Sequence, residues 1–585
     1  MEQKREDLLL DLDSVIHGLQ SKITLNISPV SQSLAFIDWL ASLAYSPSKR
    51  LELFVEYLKG VSKFYDEFWS IVFSFAGGLS KEGKENEGKS SVNDPRFSAK
   101  EWEIFPFNIF YRSFLLAEDW WMKATKGVPG VSKHHENVVS FMVKQILDVF
   151  SPTNYIFTNP EVFKLTVEEW GANLVRGWVN FLEDWRRNAA GEKPVGTEKF
   201  VIGKNIACTP GKVVYRNRLI ELIQYSPTTQ EVYNEPILIV PAWIMKYYIL
   251  DLSPQNSMVK FLVDKGHTVF MISWKNPTSE DRDISMEDYR KLGVMSAIDA
   301  ISAIIPDRKL HAVGYCLGGT ILAISAAAMA RDGDERLKTM TLLAAQTDFT
   351  EAGEIMVFID EAEVRYLEDI MASKGYLDTK EMVGAFQMLR SYDQFWSRII
   401  HDYLMGERSE MIDLMAWNAD ATRMPYKMHS EYLRKLFLNN DLFEGRYKVD
   451  GRSIVLSDIH VPVFMVGTEK DHVAPWKSVY KFNLTSDAET VTFVLTSGGH
   501  NAGIVSEPNH PRRTYRIATR KEGEKYVDPD SWVKQTPVSK GSWWIPWEKW
   551  LCEHSSGKTN PPPMGAPEKR YVVLGDAPGT YVFEK

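Results

Sequence analysis

Residues 309–330, KLHAVGYCLGGTILAISAAAMA, constrain the fold of this chain more than any other stretch. A short apolar run ends at Tyr315, Cys316 and Leu317 follow, and a glycine pair opens a long run of small apolar residues. That order reads as strand, tight turn and helix, with Cys316 at the turn. A G-x-S-x-G turn of this shape lifts its central side chain above the end of a sheet strand. Gly314, Gly318 and Gly319 allow the sharp backbone and the close approach of the helix. Here the position ordinarily held by a hydroxyl nucleophile carries a thiol.

Five more short apolar runs share the texture of 309–315: 235–242, 267–274, 339–345, 461–469 and 490–498. They are continuously apolar and alternate with helical stretches, which predicts a mostly parallel sheet covered on both faces. Between the fourth and fifth runs of the series lies an insertion of about residues 347–450, helical in period and rich in aromatics. An insertion there is expected to be a cap. The fold class expected is an α/β-hydrolase with a helical cap and an N-terminal helical domain. The expected boundaries are an N-terminal helical segment over 1–79, a small-residue, charged linker over 80–94, a further helical part over 95–200 and the catalytic domain over 201–585. Within the first segment, residues from Leu51 to Val72 place apolar side chains at spacings of three and four. The stripe reads as ordinary packing or, alternatively, as an amphipathic face for a hydrophobic surface.

Two loops join Cys316 in the order this fold uses for nucleophile, acid and histidine. Asp471 follows the run at 461–469, and His500 follows the run at 490–498. Each alone has an ordinary reading: a buried cysteine is a small apolar residue, and a polar residue after a strand is a turn residue. Their order and their positions at strand ends favour a catalytic triad. Asp348 is an alternative acid, His472 is a neighbour that can support Asp471, and His311 reads as structural. One oxyanion donor is expected from the amide of Leu317 and the second from the loop at Trp243 and Ile244.

The thiol narrows the chemistry. A cysteine that attacks a thioester makes another thioester, so the acyl group stays activated and passes readily to a hydroxyl. Composition agrees with a thiol kept reduced: Cys208, Cys316 and Cys552 are far apart in sequence, and no C-x-x-C suggests zinc. The net charge of −9 gives no broad basic surface for nucleic acid. The first residues lack the apolar core of a signal peptide, and no apolar run approaches the roughly 20 residues of a membrane span. A cytoplasmic protein is expected, with no metal and no cofactor.

Beyond these readings, VPAWIMKYYILDLSPQNSMVKFLVDKGHTVFMISWKNP, HAVGYCLGGTI, LMAWNADATRMP, SEYLRKLFLNN, GTEKDHVAPW, SGGHNAGIV and KGSWWIPWEKWL resemble the class I polyhydroxyalkanoate synthases. The likeness runs from about Asp94 to the closing PGTYVFEK, and residues 1–93 show little of it. It implies an acyltransferase that polymerises 3-hydroxyacyl-CoA, 3-hydroxybutyryl-CoA in the first instance, into polyester with release of CoA. It also implies a homodimer associated with polyester granules, and Cys316, Asp471 and His500 at the family's nucleophile, acid and histidine. Met245 stands where the family usually has Asn, so any side-chain hydrogen bond there is lost. Two alternatives stay open: a thioesterase or hydrolase using the same triad, and a non-catalytic granule protein. Lys246 and Arg398 are named only as possible CoA contacts.

Overall fold

The computed structural model describes residues 13–21, 24, 26–76, 94–379, 381, 388–389 and 395–585, without the side chains of 70–76. The linker read over 80–94 lies outside the described residues except for Asp94. The chain divides into two compact units: Met1–Asn26, Gly196–Val383 and Met411–Lys585 form one, and Ile27–Val195 with Gly384–Glu410 form the other.

The first unit is built on an eleven-stranded sheet. Its strands are β1 (Gly211–Arg216), β2 (Ile220–Tyr225), β3 (Ile237–Val240), β4 (Val269–Trp274), β5 (Leu310–Tyr315) and β6 (Leu337–Leu343). They continue with β7 (Val463–Thr468), β8 (Thr490–Thr496), β9 (Thr514–Lys521), β10 (Ser539–Lys540) and β11 (Gly575–Asp576). The spatial order is β10-β9-β8-β7-β6-β5-β3-β4-β2-β1-β11. The six runs expected from sequence are β3 to β8, and all pair in parallel. Val269–Trp274, Leu310–Tyr315 and Val463–Thr468 are buried along their whole length, as a sheet covered on both faces requires. The order of strands reverses beside β3, whose neighbours are β4 and β5. A reversal of this kind opens a crevice at the carboxyl ends of the strands.

The antiparallel flanks escape the sequence reading. β2 carries Glu221 and Gln224 in a wholly buried strand, so its polarity conceals it. Glu221 is held by Arg216, by the amides of Thr580 and Tyr581 and by the Thr580 hydroxyl, which ties the C-terminal tail to the sheet.

The second unit is helical, with helices Pro29–Ala44, Pro47–Ala76, Phe107–Thr125, Lys133–Val149, Pro160–Glu168 and Ala172–Ala190. Much of the predicted stripe on helix Pro47–Ala76 is not buried: Leu51, Phe54 and Tyr65 are 64%, 57% and 59% exposed, while the Val72 side chain at its end lies outside the described residues. The helix packs instead through residues such as Leu53, whose carbonyl accepts from the Trp120 indole at 3.0 Å. Among the described residues no helix is long and apolar enough to cross a membrane.

Candidate active site

Strand β5 delivers Cys316 into a left-handed turn, φ 51° and ψ −123°, at the head of helix Leu317–Arg331. A non-glycine residue in such a conformation costs about 1–3 kcal/mol and persists only where its surroundings impose it. Those surroundings are visible. The Cys316 amide donates to the Leu343 carbonyl at 2.9 Å, and its own carbonyl accepts from Gly319 and Thr320. The glycines answer to close approach: a Cβ on Gly318 would stand 2.1 Å from the Val240 carbonyl oxygen, and one on Gly314 2.4 Å from the Gly319 Cα. Helix and sheet touch backbone to backbone there, which presses the thiol above the strand end.

Asp471 follows β7 and His500 follows β8, so both reach the same edge as Cys316. His500 Nδ1 lies 2.8 Å from Asp471 Oδ2. That oxygen also accepts from the Thr468 hydroxyl at 2.9 Å, while Oδ1 accepts from the amides of Val473 and Ala474 at 2.9 and 2.8 Å. Burial opposes the charge on Asp471, but His500 and these donors outweigh it and hold the carboxyl below its ordinary value. An ionised Asp471 has no hydrogen to give, so Nδ1 carries one and the other ring nitrogen serves Cys316, its second hydrogen-bond partner. Burial likewise disfavours the charged imidazole. Asp471 and then the Cys316 sulfur outweigh it, and His500 is held well above its ordinary range. Asp471 and His500 side chains are 0% and 9% exposed, which keeps these interactions strong.

The residues expected from sequence to supply oxyanion donors, Leu317 and Ile244, fall at the same edge. Leu317 is the first residue of its helix, where amides have no intrahelical acceptor. Ile244 follows β3, and its carbonyl accepts from the amide of Thr422 in the insertion at 3.2 Å. Met245 bridges Ala421, and the Trp417 indole donates to the Lys246 carbonyl at 2.8 Å, so the insertion grips the loop beside Cys316. The Met245 side chain packs against the same core cluster as Cys316.

The other sequence candidates are accounted for. Asp348 binds Thr350, Asn440 and Lys481 and is not the partner of His500. His472 is half-buried, and its carbonyl accepts from the Glu354 amide at 3.2 Å. His311 is buried between Thr339 and Ser555 hydroxyls, and burial drops it to about 3, which fits a structural histidine. Lys246 is buried on the carbonyls of Tyr581 and Glu584. Arg398 pairs with Asp184 and Asp402.

Three residues escaped the sequence reading. The Tyr315 hydroxyl donates to Asn501 Oδ1 at 2.6 Å, and its ring lies 5.7 Å from that of His500. Both residues directly adjoin the triad in sequence, which was the available signal. Tyr432, from the insertion, feels the charge of Cys316, and burial followed by that charge keeps its phenol neutral.

Residues 93–262 match the family described as "Poly-beta-hydroxybutyrate polymerase (PhaC) N-terminus", and residues 235–506 match "alpha/beta hydrolase fold". Residues 9–49 match "Poly-beta-hydroxybutyrate polymerase N terminal", so the likeness reaches into the first 93 residues, where motifs alone showed little. The chain is 40% identical over 497 residues to the Poly(3-hydroxyalkanoate) polymerase of Methylorubrum extorquens, covering 84% of this chain and 81% of that one. It is 36% identical over 560 residues to the Poly(3-hydroxyalkanoate) polymerase subunit PhaC of Rhizobium meliloti, covering 95% and 89%. Among solved structures, alpha/beta hydrolase domain-containing protein 10 from mouse aligns with 14% identity and a TM-score of 0.30 over 50% of this chain and 90% of that one. The chain therefore belongs to the class I poly(3-hydroxyalkanoate) polymerases, acyltransferases that polymerise hydroxyacyl-CoA into polyester from a hydrolase-fold active site.

Proposed function

We propose that Cys316 is the acyl carrier, His500 its base and Asp471 the residue that orients and charges that base. The observation that supports this most is the run of contacts from Asp471 through the two ring nitrogens of His500 to Cys316, set at the strained turn after β5. His500 takes the thiol proton, and the sulfur attacks the thioester carbonyl. The amides of Leu317 and Ile244 receive the oxyanion. Collapse expels the CoA thiolate, which recovers a proton from His500, and leaves a hydroxyacyl thioester on Cys316. The hydroxyl of a second hydroxyacyl unit then gives its proton to His500 and attacks that thioester, forming the ester bond and freeing the sulfur. Asp471 steadies the imidazolium in both halves.

The same carrier serves a thioesterase if water takes the place of the hydroxyl. Water near 55 M outnumbers any substrate, so polymerisation requires that the acyl group be sheltered. The insertion that grips the Trp243–Lys246 loop and brings Tyr432 beside Cys316 supports such shelter. The preferred monomer proposed is 3-hydroxybutyryl-CoA, the working form a homodimer, and the working place the surface of a cytoplasmic polyester granule. The exposed stripe of helix Pro47–Ala76 supports that attachment. Feeding 3-hydroxybutyryl-CoA and its longer homologues while measuring CoA, polyester and free acid tests the reading. Polyester with little free acid is expected; free acid in stoichiometry with CoA overturns it in favour of a thioesterase.

A further inference from the structure

A second cluster of reactive side chains lies at the edge of the sheet opposite Cys316. His267 sits in the turn that enters β4, and Glu548 and Cys552 lie one turn apart on helix Trp544–Glu553. Spacing of four residues puts Glu548 and Cys552 on one face of that helix. The Cys552 thiol donates to Glu548 Oε1 at 3.0 Å. His267 Nε2 is 3.9 Å from the sulfur and 3.7 Å from Glu548 Oε1.

Those separations suit a small tetrahedral cation. Zinc bonded to sulfur, imidazole nitrogen and carboxylate oxygen sets its donors about 3.4–3.6 Å apart. The three donors therefore already stand within about 0.6 Å of the required corners. The carboxylate–imidazole gap of 3.7 Å is too long for a good hydrogen bond. The other ring nitrogen, Nδ1, has no hydrogen-bond partner, although His267 is completely buried. One nitrogen of this buried imidazole has no partner, and the other faces a thiol and a carboxylate at separations longer than a good hydrogen bond, so the ring is poorly satisfied by these contacts alone. Stacking on Tyr233, with centroids 4.7 Å apart and planes at 22°, fixes the ring. The Tyr233 hydroxyl bonds to Cys552.

We propose that His267, Glu548 and Cys552 form a site for a divalent transition-metal ion of the zinc type, which ties the C-terminal helix Trp544–Glu553 to the sheet. A thiolate among the donors selects against magnesium and calcium, which take oxygen. Binding replaces the sulfur–hydrogen bond by a sulfur–metal bond and releases one proton to solvent, with no change of oxidation state. The carboxylate and thiolate then balance the two positive charges. Lys558, whose ammonium lies 4.7 Å over the Tyr233 ring, and Lys265 are cations beside the cluster. No zinc signature marks these residues in sequence because the histidine and cysteine are 285 residues apart.

The test uses the full chain carrying Cys316→Ala, which removes the other thiol that faces an imidazole. Co2+ is titrated and the sulfur-to-cobalt charge-transfer band recorded. One equivalent is expected to bind with that band and with the visible bands of a tetrahedral site, and Zn2+ is expected to displace it. Adding Cys552→Ser should abolish the band, and His267→Gln or Glu548→Gln should weaken binding by more than about tenfold. Excess Zn2+ should raise the melting temperature of the parent and leave that of the Cys552→Ser protein unchanged. Absence of the band in the folded parent overturns the proposal, and so does a band that survives Cys552→Ser. Should Cys552→Ser not fold, unchanged affinity in both His267→Gln and Glu548→Gln overturns it instead.

Discussion

Asp471→Asn removes a charge while leaving the shape of the site, and the local hydrogen bonds dictate how the new amide must sit. Oδ1 accepts from two backbone amides, Val473 and Ala474, at 2.9 and 2.8 Å. Only the carbonyl oxygen of asparagine can stand there. Its NH2 group must then take the place of Oδ2, facing the Thr468 hydroxyl and His500 Nδ1. The hydroxyl can rotate to accept, but the imidazole can accept only by moving its hydrogen to the nitrogen that faces Cys316. The base is lost although every atom keeps its position. General-base catalysis contributes roughly 10²–10⁴-fold, or about 3–5 kcal/mol of barrier. Rapid mixing with 3-hydroxybutyryl-CoA and detection of the first equivalent of CoA measures this step. Asp471→Asn should slow it by that factor and His500→Gln by at least as much. The double variant should be no slower than His500→Gln, because the pair acts as a unit. Should Asp471 also help remove the proton of the incoming hydroxyl, elongation falls further than the burst. A first turnover in Asp471→Asn within about threefold of the unaltered enzyme refutes the reasoning.

Other perturbations follow from the same contacts. Gly318→Ala would drive a methyl group to 2.1 Å from the Val240 carbonyl oxygen and 2.6 Å from that of Pro241, so melting should show a loss of at least about 1–3 kcal/mol together with lost activity. His311, held near 3 by burial against an unfolded value of about 6.5, contributes stability that is present above pH 6.5 and is lost as pH falls towards 3. His311→Gln should flatten that part of the melting-temperature profile against pH. His500 has the opposite sign: its raised value gives stability that is complete below about pH 6.5 and fades as pH rises through the folded value. The melting-temperature gap between the unaltered protein and His500→Gln should therefore narrow with rising pH. Removing residues 1–93 takes away the exposed stripe at Leu51, Phe54 and Tyr65, and should weaken attachment to sedimented granules or lengthen the lag before polymerisation.

The parallel half of the sheet was legible because its six strands are buried on both faces and so are written as unbroken apolar runs. The meeting of Cys316, Asp471 and His500 was legible because this fold brings residues just past its strand ends to one edge, and all three follow such runs. The antiparallel flank was not, since β2 hides buried Glu221 and Gln224, most of whose partners lie more than 300 residues later, in the tail. The stripe on Pro47–Ala76 shows the limit of periodicity: spacing finds a face but does not say whether the chain itself covers it. Tyr432 and the converging His267, Glu548 and Cys552 depend on tertiary approach between distant segments, for which one sequence carries no local mark.

The central claim is that the growing acyl group rides on one sulfur, and that sulfur can be interrogated directly. The enzyme is mixed with a few equivalents of 3-hydroxybutyryl-CoA, quenched in acid within the first turnover, digested, and its cysteine peptides weighed. The account predicts a hydroxyacyl thioester on the peptide that contains Cys316, absent from those of Cys208 and Cys552. On a second addition of substrate the adduct should lengthen by whole monomer units before it leaves as polyester. An unmodified Cys316 peptide during active CoA release, or polymer formed by Cys316→Ala, would contradict it.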